Sequence, residues 1–209
     1  MVGSISVLAQ GEPRRFISSG HPIEQQLRPE DRSVVLISNL PPPLLVELPP
    51  DAIRAMTDNT AVSVFGVAVR KEAQLTHDRA WITSTITMRV DRAFRSAESV
   101  SSNVGAFVQF DESGGRTQVG RVAVEAVVPW SRPIRVGERY LVFGAIQWDG
   151  SLVTGPASIY ELTRPQFGLA RFRSLMASDG EPQPPNEIHE LLPDEVLDRI
   201  ERRLESAQR

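Results

Sequence analysis

The side chains of this 209-residue chain that are able to do chemistry are few and scattered. Its three histidines, His21, His77 and His189, fall in an expected tail, loop and linker. None of the spacings that build a zinc site is present. Cysteine is absent, which removes disulfides, thiolate nucleophiles and cysteine-bearing metal centres. His77 and Asp78 are adjacent, and neighbours on an extended chain point apart. Ser113, in Glu112-Ser113-Gly114-Gly115, lacks the glycine two residues before it that a nucleophile elbow carries, and turn chemistry accounts for it. Gly114, Gly115 and Gly120 are not followed by Lys-Ser/Thr, so they form no phosphate loop. The expectation is a chain without catalytic residues, cofactor or metal. The enzymatic alternative is a hydrolase working through carboxylates such as Asp111, Glu112 or Glu125.

Recognition chemistry is the other possibility. Arg89, Arg92 and Arg95 with Phe94 could line a single-strand nucleic-acid groove. The net charge of −3 and the lack of any further basic cluster favour solvated strand arginines, and no nucleic-acid partner is expected. Trp81, Trp130 and Trp148 sit near strand ends, and Trp148 shares its parity with Tyr140 and Val142, a core pattern. Trp130, between Pro129 and Ser131-Arg132-Pro133, is the best candidate for an exposed ring, the alternative being a plug at the end of a barrel. Trp130 and Arg132 are therefore the candidate partner-binding residues. Of the 23 lysine and arginine residues only Lys71 is lysine, a bias that codon usage explains together with 16 prolines.

The elements that must position these groups are mostly strands. Ser33–Ser38 is a β-like run stopped by Pro41-Pro42-Pro43. Pro49 to Met56, closed by Asp58-Asn59, suits a short helix. From Ala61 to Thr163 the apolar pattern has period two. Val62–Val69 is apolar on both faces, with Gly66 marking a close backbone approach. Ile82, Ser84, Ile86, Met88 and Val90 oppose Thr83, Thr85, Thr87, Arg89 and Asp91, which predicts a half-buried strand. Residues 96–105 read as a surface loop. Val108 and Phe110, then Val122, Val124 and Ala126, mark two further strands. Tyr140 to Trp148 and the Asp149-Gly150 turn signal predict a hairpin, and Ile159–Leu162 closes the last strand. The expected architecture is mainly β: an antiparallel OB-like (Greek-key) barrel of five to seven strands with a short N-terminal helix and an amphipathic C-terminal helix.

That C-terminal helix, residues 193–209, carries the stripe Leu192, Val196, Leu197, Ile200 and Leu204. A helix of this length is marginal alone, so the stripe must dock on the barrel or on another chain. The division expected is a tail or signal remnant over 1–31, the barrel over 32–163, a linker over 164–192, and the helix. Length supports one domain with appendages, at about 150 residues per domain. No run approaches the roughly 20 apolar residues of a membrane span.

The order of these signals resembles a family pattern. Ala61-Val62-Ser63-Val64-Phe65-Gly66-Val67-Ala68-Val69 leads to the threonine-rich Thr83–Phe94, and later to Ile134-Arg135-Val136-Gly137-Glu138-Arg139-Tyr140-Leu141-Val142-Phe143-Gly144. This resembles uncharacterised β-barrel domains of secreted bacterial proteins and, more distantly, the OB-fold of netrin-like modules and tissue inhibitors of metalloproteinases. The likeness covers about residues 50–163. Those inhibitors chelate zinc through an N-terminal cysteine, which this chain lacks, so the resemblance implies a fold and an interaction role but no inhibitory residue. Together these features lead us to expect a non-catalytic, extracytoplasmic β-barrel module that binds a protein partner or self-associates through its C-terminal helix.

Overall fold

The computed structural model describes residues 14–39, 51–95, 104–147, 151–163, 169–176 and 186–207. Residues 1–13 of the expected tail, Pro41–Pro43, Trp148, Asp149-Gly150, most of the 96–105 loop, and residues 164–168 and 177–185 of the expected linker lie outside these residues.

The strands are β1 (Arg15–Ser18), β2 (Ser33–Ile37), β3 (Val62–Leu75), β4 (Ile82–Arg95), β5 (Phe107–Ser113), β6 (Gly115–Val119), β7 (Val122–Val127), β8 (Arg139–Ile146), β9 (Leu152–Val153), β10 (Ile159–Thr163) and β11 (Arg171–Ser174). The helices are α1 (Ile23–Gln26), α2 (Ala52–Asn59), α3 (Glu187–Glu190) and α4 (Pro193–Ala207). Two sheets result. The smaller runs β1-β2-β7-β6 and the larger β11-β10-β8-β3-β4-β5-β9, with β9 also paired to β8.

The protein is mainly β, as its period-two pattern requires. Strictly antiparallel pairing is corrected: β1–β2, β2–β7 and β5–β9 are parallel, so both sheets are mixed. Parallel neighbours need a long connection, and each of these pairs has one. Alternation in sequence reports which face is buried and is blind to the direction of the neighbour.

The long β3–β4 hairpin organises the core. Its alternating residues Val62, Val64, Ala68, Ile86, Met88 and Val90 pack with Val108, Phe110, Tyr140 and Val142 inside the large sheet. Gly66 is required there, because a Cβ on it would meet the Arg89 carbonyl oxygen at 2.1 Å. The register slips between Ala68 and Arg70. A bulge of this kind inserts one residue and reverses the phase of every side chain beyond it. Beyond the slip, Lys71, Ala73 and Leu75 turn inward, while Arg70 and Glu72 face solvent. Ala73, Leu75, Ile82 and Trp81 then pack with Ile17, Val34, Leu36 and Val124 of the smaller sheet and with Ile23 of α1. Arg15–Ser18 and Ile23, expected as part of a tail, are therefore built into the fold.

The other face of the large sheet is covered by helices. Phe65, Leu141, Phe143, Tyr160 and Phe172 pack against Ile53 and Met56 of α2 and Val196, Leu197, Ile200 and Leu204 of α4. The C-terminal stripe docks on the chain's own sheet: Val196, Leu197, Ile200 and Leu204 are buried there, and Leu192, just before the helix, is exposed. Ion pairs fix the docking, with Arg92 on Asp198 and Glu201 and Arg203 on Asp58. The expected linker also contributes structure. Phe172 of β11 sits edge-on to Phe65, centroids 5.9 Å apart, and Asn186 caps α3 by accepting from the Ile188 and His189 amides. Strands and helices of four residues are too short to leave a periodic signal. No described helix is long and apolar enough to cross a membrane.

The strap after β7 as a candidate functional site

Residues 128–138 connect β7 to β8 without regular structure, and two half-buried ion pairs, Lys71–Glu112 and Arg132–Glu161, lie against them. Main-chain amides hold the strap. The Arg132 amide donates to the Leu175 carbonyl at 2.8 Å. The Arg135 amide donates to the Tyr140 hydroxyl at 2.8 Å. The Val136–Gly137 turn, with Gly137 at φ +94°, is clamped to β3 by Gly137 N–H to Ala68 O (2.8 Å) and Ala68 N–H to Glu138 O (3.0 Å). Burial pushes the Tyr140 phenol upward, so it remains a neutral hydroxyl acceptor for Arg135.

Two ion pairs flank this strap. Lys71 Nζ lies 2.5 Å from Glu112 Oε2, with the two side chains 20% and 10% exposed. The pair grips one residue from both sides: Glu112 accepts the Ile134 amide at 2.7 Å, and Lys71 donates to the Ile134 carbonyl at 3.3 Å. Ile134 itself is buried in the core of the large sheet. Burial pushes the Glu112 carboxyl up, opposed by the Lys71 charge and by the hydrogen bonds from Lys71 and Ile134. A cavity of about 220 Å³ adjoins Lys71 and Glu112, and one of about 120 Å³ lies on the side of Glu112 and Thr154. The Thr154 hydroxyl is buried there without a hydrogen-bond partner among the described residues.

On the other flank Arg132 pairs with Glu161 at 2.6 Å, the side chains 14% and 12% exposed. Arg132 also donates to the Ser174 carbonyl at 3.0 Å. An open cleft of about 650 Å³ begins here, lined by Arg132, Arg135, Glu138, Arg139, Glu161 and Thr163.

Of the two candidate partner-binding residues, Arg132 lines this cleft, its charge met by Glu161, and Trp130 is half-buried on the strap. The carboxylates considered for hydrolysis are engaged separately. Asp111 accepts from Thr85 at 2.8 Å, Glu112 holds Lys71, and Glu125 pairs with Arg14 at 2.8 Å. Of the arginines considered for a nucleic-acid groove, Arg92 stacks on Phe94 and binds α4, Arg95 donates to the Thr57 and Thr60 carbonyls, and Arg89 stays about half exposed beside Asp91. Ser113 lies at the end of β5, paired with Thr83, and not in a turn; its hydroxyl accepts from the Trp81 indole at 2.8 Å. Among the described residues no group of three or more His, Asp or Glu is placed to hold a metal ion.

Sequence reasoning missed Lys71. Its solitary status was a signal, but parity carried from Val62 puts Lys71 outside, and only the slip before Arg70 brings it in. Glu112 was legible in principle, because Val108 and Phe110 share its parity and face inward. No family model matches the chain, and no curated protein matches it either.

Proposed function

We propose that this chain is a non-catalytic interaction module of the OB type that binds a protein partner outside the cytoplasm. The pairing order supports the barrel reading: from β3 through β4, β5, β9 and β8 the ladders lead back to β3, with β5 and β9 parallel. That is the strand order of a five-stranded OB barrel, here with β6, β7 and the strap inserted between its third and fourth strands. It also favours kinship with secreted barrel domains and netrin-like modules, which carry a Gly-Glu-x-Tyr-Leu strand like Gly137-Glu138-Arg139-Tyr140-Leu141 here. The small and apolar run Val2–Gly11 favours export.

One observation carries the binding role. Arg139, Val67, Arg89 and Phe107 are successive cross-strand neighbours over β8, β3, β4 and β5, forming a row on the outer face that the helices leave uncovered. Phe107 is 59% exposed, and the side chains of Arg89 and Arg139 are about half exposed. Aromatic rings and arginines supply much of the energy of protein interfaces, because each combines large contact area with directional polarity. Paired with Asp91, the two arginines are held in place without being buried.

The test is affinity capture from the native source with the intact chain and with Arg89→Glu/Phe107→Ser. The expected result is a partner retained by the parent chain and lost by the double variant, with thermal unfolding unchanged. Equal retention by both chains overturns the reading.

A further inference from the structure

We propose that the hollow lined by Lys71 and Glu112 binds a neutral polyol of the size of a monosaccharide. The site is separate from the row of Arg139, Val67, Arg89 and Phe107 and does not depend on it. Two observations carry it: hydrogen-bonding capacity that the fold leaves unspent, and room beside that capacity.

The unspent capacity sits on the enclosed ion pair and its neighbours. An ammonium carries three protons, and a carboxylate about four acceptor positions. Lys71 donates one proton to Glu112 and one to the Ile134 carbonyl, and Glu112 accepts from Lys71 and from the Ile134 amide. A pair this enclosed gains fully from its geometry only when its remaining protons and lone pairs also find partners. The Ser131 hydroxyl reaches the Arg132 carbonyl at 3.4 Å. Glu125 gives its Oε2 to Arg14, and across the ladder from it the exposed Arg116 has no ion-pair partner among the described residues. On the far side of Glu112 the buried Thr154 hydroxyl also lacks a partner among the described residues.

The room is the hollow of about 220 Å³, which shares Glu112, Ser113 and Ser131 as a wall with the smaller one beside Thr154. It holds about seven waters at roughly 30 Å³ each, enough space for a pentose ring. Its charges cancel, Lys71 and Arg116 against Glu112 and Glu125, so it favours no ion. A hydroxyl group suits such a wall. It donates to a carboxylate while accepting from a cation, so each bound hydroxyl settles a donor and an acceptor together. Val127, Val128 and Pro133 give the carbon skeleton an apolar wall. The rim is preformed: the Gly114 amide donates to the Ile82 carbonyl at 2.9 Å, and the Gly114 carbonyl accepts from Ser84 at 2.7 Å. Little ordering cost therefore falls on the protein when the polyol binds.

The experiment titrates the full, isotope-labelled chain with D-xylose, a neutral pentose, and follows amide chemical shifts by NMR. Saturable shifts are expected at Gly114, Gly115, Ser131 and Ile134, with half-saturation at roughly 1–10 mM. Tetrahydropyran, the same ring without hydroxyls, is expected to give none. Arg116→Ala/Ser131→Ala is expected to bind D-xylose at least about tenfold more weakly, because two hydrogen bonds are lost, while keeping the parent melting temperature. If that variant melts lower, Arg116→Ala alone, at an exposed side chain, decides by the same weakening. Arg89→Glu/Phe107→Ser is expected to bind D-xylose as the parent does, which keeps this site apart from the partner-binding row. Absence of a saturable shift overturns the polyol and leaves water as the occupant. Equal shifts with tetrahydropyran overturn hydroxyl recognition, and undiminished binding by the Arg116 variants overturns the site.

Discussion

Two ion pairs hold irregular segments of this chain in place, and they do so by opposite balances. At the edge of the small sheet, Arg15 binds Asp31 through both carboxylate oxygens, at 3.1 and 2.5 Å, and the Arg28 amide donates to the same carboxylate at 2.7 Å. Those hydrogen bonds outweigh burial and hold the Asp31 carboxyl down at about 2. At the strap, Glu112 also has an ammonium and an amide, yet its carboxyl is pushed up by burial. Exposure is similar at the two sites, 27% and 7% for Arg15 and Asp31 against 20% and 10% for Lys71 and Glu112, and the bonding differs. Asp31 accepts from both arms of a planar guanidinium and from an amide, whereas Glu112 has one compact ammonium and one amide. Attraction therefore outweighs desolvation at the first carboxylate and not at the second.

The sharpest way to break the comparison is to remove one partner in the interior. Lys71→Met leaves Glu112 enclosed without a counter-charge and should cost about 3 kcal/mol in denaturant unfolding. Lys71→Met/Glu112→Leu should recover most of that loss, because no lone charge remains. If the double variant is as unstable as the single one, the strap depends on the hydrogen bonds to Ile134 more than on charge balance.

The pH dependence should separate the pairs next. Asp31 has a folded pKa below its unfolded one, so its contribution is full above the ordinary aspartate range and is lost as pH falls through about 2. Asp31→Asn should remove that part of the acid slope, measured as the unfolding midpoint across acidic pH. Glu112 has the opposite sign. Its folded pKa is raised, so the fold is favoured below the ordinary glutamate range and loses this contribution as pH rises through the raised value. Glu112→Gln should flatten the curve there while leaving the more acidic limb intact. A shared loss of both limbs would show that the two regions unfold as one coupled network.

The smallest expected effect is a control placed next to the largest. Arg70 precedes Lys71 and pairs with Glu72 at 2.6 Å, both side chains more than half exposed. Arg70→Ala should change stability by less than about 0.5 kcal/mol, because solvent already screens that pair. A large effect would mean that the slip before Arg70 depends on the arginine itself.

Much of the large sheet was legible. The alternation from Ile82 to Asp91 reported the inner and outer faces of β4 correctly, and the close approach at Gly66 followed from its place in an apolar strand. The docking stripe of α4 was also visible, although its partner was not. The small sheet was less legible, since Arg15–Ser18 is too short to show a period and β2 finds its neighbours only across long connections. The site was the least legible part. Trp130 and Arg132 lie on the strap, but the inward turn of Lys71 required a phase reversal that no residue type announces.

Sequence by itself determined which residues leave water and at what local period, because burial and backbone pleat act on neighbours along the chain. Tertiary structure alone decided strand direction, the packing of α4 on the large sheet, and the meeting of Lys71 with Glu112. Those depend on contacts between residues far apart in the chain, where one inserted residue reverses what every following side chain faces.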